Sequence, residues 1–166
     1  MSNVRRVYVE KKGSYDVQQK ALAHEIRNYL GIKDVEYVRI LNRYDVENVS
    51  DETFERACNG IFAEPPVDVL WKEEAPVGSG DSLFSVEFLP GQFDQRADSA
   101  VQCVQFLDEN AQPIIRSATT YVIEGTITDE GKDCFFKTCF RLGYCYNELQ
   151  LYEKALFYLD IVYGFV

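Results

Sequence analysis

LPGQFDQRADSAVQC, residues 89–103, runs from a strand end through a corner into a helix without filler. Leu89 closes the alternating segment LFSVEFL, and Pro90 with Gly91 supplies the turn. Asp94 stands where a side chain can accept hydrogen bonds from the free amides of a first helical turn. Ala97, Ala100, Val101 and Val104 then recur at helical spacing, so the run predicts strand, turn and capped helix. Asp94 and Asp98, four apart beside Arg96, form an acidic pair that invites a metal or acid–base role. Capping by Asp94, and the attraction of the helix dipole for Asp98 in the first turn, account for both without chemistry. No residue of the run is assigned a catalytic, cofactor-binding or metal-ligating role. Gln92, Gln95, Arg96 and Asp98 stand as candidate residues for docking a neighbouring domain.

Upstream, VRRVYVE (residues 4–10) is rich in β-branched and aromatic residues and predicts a strand, closed by Lys11, Lys12 and Gly13. Asp16, with Gln19 three residues later, predicts a capped helix whose apolar face is Leu22, Ile26, Tyr29 and Leu30, and which Gly31 stops. Residues 37–49 (YVRILNRYDVENV) form a long extended segment, expected to bulge or bend near Asn42 and Arg43. Ser50 opens a second helix, SDETFERACNGIF, with Phe54, Ala57, Cys58, Ile61 and Phe62 facing a core. Pro65 and Pro66 end it, and VDVLWK (67–72) is a further strand. The order is β, α, β, α, β. The Pro-, Gly- and Ser-containing stretch that follows is expected to be a linker. Its Gly78 and Gly80 lack the Lys-Ser or Lys-Thr of a phosphate loop, which leaves a plain connection.

Beyond that linker the pattern restarts. Gly13-Ser14-Tyr15-Asp16 is answered by Gly91-Gln92-Phe93-Asp94, and Ser50-Asp51-Glu52 by Thr128-Asp129-Glu130, each 78 positions on. Leu22, Ile26 and Tyr29 map at the same displacement onto Ala100, Val104 and Leu107, while RSATTYVIE (116–124) answers the segment around Arg39 to Glu47 at 77. The expected fold is therefore α+β, a duplicated βαβαβ unit packed as a pseudo-twofold pair, either sheet against sheet or as one continued sheet. The boundaries are 1–74 for the first unit, 75–82 for the linker, 83–130 for an incomplete second unit, and 131–166 for a helical hairpin.

A chain of 166 residues with 46% hydrophobic composition has room for one ordinary domain or two small ones around a core. With 17 Lys plus Arg against 27 Asp plus Glu, the net charge of −10 works against phosphate backbones and anionic membranes, so neither nucleic acid nor membrane is an expected partner. No signal-like segment or bilayer-length apolar run is visible, and the expected location is the cytoplasm. The five cysteines, Cys58, Cys103, Cys134, Cys139 and Cys145, include no CxxC pair and read as thiols outside any disulfide or zinc framework. His24, the single histidine, has no nearby Cys or Ser to act with.

VRRVYVEKKGSYDV, VRILNRYDVENVSDETFERA, IFAEPPVD and FLPGQFDQRADSAVQC together make residues 4 to about 130 similar to one family. They resemble the N-terminal region of the large single-chain phosphoribosylformylglycinamidine synthases of purine biosynthesis. The resemblance implies a fused, duplicated form of a small subunit that other versions of the enzyme keep separate. It also implies a part in the ATP- and glutamine-dependent amidation of formylglycinamide ribonucleotide, a ligase reaction forming a C–N bond. In the family this region bridges the synthase and glutaminase domains, which supply the ATP and magnesium site and the Cys nucleophile. Neither domain has a counterpart in these residues, so the chain is expected to hold no cofactor itself. The implied partners are those two domains or a second copy of the chain.

From about Gly131 the family pattern stops. Residues 145–152 (CYNELQLY), which should answer the strand after the second helix, do not read as a buried strand. Leu142-Gly143, Tyr146, Ala155 and Leu159 instead resemble a single tetratricopeptide repeat, with Cys139 where Trp is usual. The expectation is a truncated or fused fragment, inactive alone. The competing expectation is an interaction module that binds a partner through this helical tail.

Overall fold

A computed structural model of the chain describes residues 4–15, 17–29, 33, 35–88 and 91–125. In order they form β1 (Arg5–Lys11), α1 (Val17–Tyr29), β2 (Tyr37–Glu47), α2 (Asp51–Cys58), β3 (Asp68–Lys72), β4 (Ser82–Glu87), α3 (Gln95–Leu107) and β5 (Ile114–Glu124). The fold is mixed α+β, with an antiparallel sheet in the order β3-β1-β2-β5-β4.

The internal repeat has a structural counterpart. Helices α1 and α3 are both 13 residues long, and their first residues, Val17 and Gln95, lie 78 positions apart. Strands β2 and β5 are both 11 residues long, starting at Tyr37 and Ile114, 77 positions apart. The strand order follows the same duplication, with β1-β2 followed by β5-β4. Among the described residues β3 has no counterpart beside β4.

Two compact units arise, each from separate stretches of chain. The first takes its described residues from within Met1–Asp16, Ile40–Pro76 and Glu87–Thr120; the second from within Val17–Arg39, Val77–Val86 and Tyr121–Val166. Each unit therefore draws on both sequence copies. The first contains β1, α2 and β3 of the first copy together with α3 of the second, and the second contains α1 of the first copy together with most of β4.

In the first unit β1 and β2 pair antiparallel, Arg5 opposite Val46 and Val7 opposite Tyr44. Because side chains alternate along a strand, Val7 and Val9 share one face with Tyr44 and Val46. That face meets Phe54, Ala57 and Cys58 of α2 and Ala97, Ala100 and Val104 of α3 in one core. The Tyr44 and Phe62 rings lie 4.9 Å apart at their centroids. Each large side chain fully buried here contributes about 1.5–3 kcal/mol relative to exposure. Helix α2 packs on α3, and the hydroxyl of Thr53 donates to Asp108 Oδ2 at 3.2 Å. Arg5 ties the start of α2 to β1: Nη1 reaches Asp51 Oδ1 at 2.7 Å, and its guanidinium lies 4.3 Å from the Phe54 ring centroid.

In the second unit α1 buries Leu22, Ala23 and Ile26, and Val35 and Val38 are buried at the start of the extended segment. Phe84 of β4 stacks on Tyr121 of β5 at 5.0 Å, beside the buried Val122 and Ile123. The Tyr37 hydroxyl donates to Gln19 Oε1 at 3.3 Å, which gives the buried Gln19 a partner.

Two expectations are corrected. The bulge near Asn42 and Arg43 is absent, because β1 and β2 pair without a slip from Glu10 opposite Leu41 to Arg5 opposite Val46. The strand turns instead at Asn48, in the left-handed region at φ 59°, which Asn tolerates better than most residues. The second helix is also shorter than SDETFERACNGIF. It ends at Cys58, and Asn59-Gly60, both poor helix formers, tighten into a turn in which the amides of Gly60, Ile61 and Phe62 all point at Ala57 O. Ile61 and Phe62 still pack on the core, delivered by that turn. The cap at Asp16, Leu30, the stop at Gly31, the Thr128-Asp129-Glu130 counterpart and the hairpin at 131–166 lie outside the described residues.

Candidate functional site

Just ahead of α3, Gly91 takes φ 91°, a left-handed conformation open to glycine at little cost, and the chain turns into the helix. Asp94 is the N-cap. Its Oδ1 accepts from Ala97 N at 2.9 Å and from the Ser117 hydroxyl at 2.9 Å, and its Oδ2 accepts from Ser117 N at 2.9 Å. The carboxylate is thus committed to three donors that belong to α3 and β5. Those bonds give the side chain a structural task at the helix start.

The other candidates lie around this cap, and all four are exposed: Gln92, Gln95, Arg96 and Asp98. Asp98 sits in the first turn of α3 and accepts from Gln102 Nε2 at 2.8 Å, an i to i+4 pairing along the helix surface. The carbonyl of Gln95 accepts from the Ser99 hydroxyl at 2.9 Å. Sequence spacing brought these residues to one helix end, where they present exposed polar side chains.

A second constellation has no motif in the sequence to announce it. Arg6 of β1 faces Asp45 of β2 across the ladder, and Arg6 Nη2 meets Asp45 Oδ2 at 2.9 Å. Arg43, two residues before Asp45 on the same face, reaches Asp45 Oδ2 at 3.1 Å and also pairs with Glu87 at the end of β4. The side chain of Arg43 is 10% exposed and that of Glu87 57%, so the pair joins a nearly buried cation to a largely exposed anion. Hydrogen bonding to Asp45 holds the Arg6 guanidinium still more firmly protonated than usual. Two cations and two anions neutralise one another, which suits fixing a strand register better than catalysis. Alternation of Arg43 and Asp45 along β2 was the available signal, but only the register with β1 identifies their partners.

Other candidate groups have ordinary surroundings. Cys58 is buried within the first core, and burial pushes its thiol up to about 11, away from reactive thiolate. Cys103 is exposed on α3, and His24 is exposed on α1. In the linker the Gly78 amide donates to the chain's own Asp81 Oδ2 at 2.7 Å, so that amide is engaged within the turn. Among the described residues no group of three or more His, Cys, Asp or Glu could hold a metal ion. No described helix is long and apolar enough to cross a membrane. No family model, characterised protein or solved structure matches the chain.

Proposed function

We propose that this chain acts as a non-catalytic scaffold of the kind found at the N-terminus of the single-chain phosphoribosylformylglycinamidine synthases. In this reading it positions synthase and glutaminase domains in the cytoplasm, while ATP, magnesium and the nucleophilic Cys belong to those domains. The observation that carries the reading is the duplication itself. Paired 13-residue helices and paired 11-residue strands, with β1-β2 followed by β5-β4 in the sheet, agree with the fused small-subunit architecture that the resemblance implies. The commitment of Asp94 to structure and the exposure of Gln92, Gln95, Arg96 and Asp98 also favour a surface that binds over one that reacts.

The test is complementation in trans. A synthase polypeptide lacking its N-terminal region is mixed with this chain, and glutamine-dependent amidation of formylglycinamide ribonucleotide is measured. Restored activity and copurification are the expected result. An unchanged rate together with no association would overturn the reading.

A further inference from the structure

No further inference is drawn: the strongest candidate, the uncharged outer stripe of α3 running from Ser99 through Gln102 and Cys103 to the solvent-exposed Phe106, carries nothing because nothing in the structure shows what covers it.

Discussion

Asp94 and Ser117 are joined twice, through the Ser117 backbone amide and through its hydroxyl, each at 2.9 Å from the Asp94 carboxylate. Ser117 is buried on β5, so the same side chain that caps α3 also fixes the helix start to the sheet. Asp94→Ala removes the cap and leaves two buried donors unpaired, with an expected loss of about 2–4 kcal/mol. Ser117→Ala deletes one hydroxyl and keeps the amide bond, with an expected loss of about 1 kcal/mol. Urea unfolding of the two variants checks the order. Equal losses would mean that neither the cap nor the Ser117 amide bond adds anything beyond the Ser117 hydroxyl bond.

The charge chain through Arg43 predicts an asymmetry. Arg43→Ala removes a nearly buried cation and exposes Asp45 to partial isolation, at an expected cost of about 3 kcal/mol. Glu87→Gln alters a largely exposed partner and should cost under about 1 kcal/mol. Denaturation midpoints compared in low and high salt provide the readout. A Glu87 variant as damaged as the Arg43 variant would contradict the burial gradient.

Cys58 predicts a pH dependence. Its folded thiol titrates near 11, while an unfolded thiol titrates at roughly 8.5. The folded state therefore holds this proton more tightly, and the contribution is present below the unfolded value and lost as pH rises toward 11. Stability measured from pH 8 to 11 should fall more steeply in the native protein than in Cys58→Ala. In the native fold an alkylating reagent should modify Cys103 well before Cys58, as read by peptide mass spectrometry.

The interleaved units predict the behaviour of half-chains. Both compact units take segments from each side of the linker, so a polypeptide cut between Gly78 and Gly80 yields two pieces that each lack part of both cores. Either piece alone should show no cooperative thermal transition, and coexpression should restore one. An N-terminal piece that melts cooperatively at the temperature of the intact chain would refute this interdependence.

The docking candidates give a separate test of the scaffold proposal. Combined replacement of Gln92, Gln95 and Arg96 by Ala touches exposed side chains and should change stability by no more than about 0.5 kcal/mol. Association with the catalytic polypeptide in copurification should weaken at least tenfold. Unchanged association would move the contact surface elsewhere.

Much of the secondary structure was legible in the chain because the relevant forces are local. A capping carboxylate, three or four apolar residues at helical spacing and a Pro-Gly corner act within a few positions, and so Asp94 and the α3 face were readable from LPGQFDQRADSAVQC. The duplication was readable for the same reason, since the turn before the first helix, that helix's apolar face and the long extended segment each occur twice at a displacement of 77 or 78. The end of α2 was less legible. Phe62 fits a helical period, yet Asn59 and Gly60 favour a turn, and the core accepts Phe62 from either conformation.

Sequence alone determined the α+β class, the repeat and the capping role of Asp94. Tertiary structure decided which helix completes which core: α3, read as part of the second copy, packs against α2 of the first. It also decided that Arg6, Arg43, Asp45 and Glu87 meet, and that Asp94 is shared with Ser117 23 positions away. These pairings depend on strand register and on where apolar faces find burial. Both are long-range choices made by packing, and no local pattern encodes them.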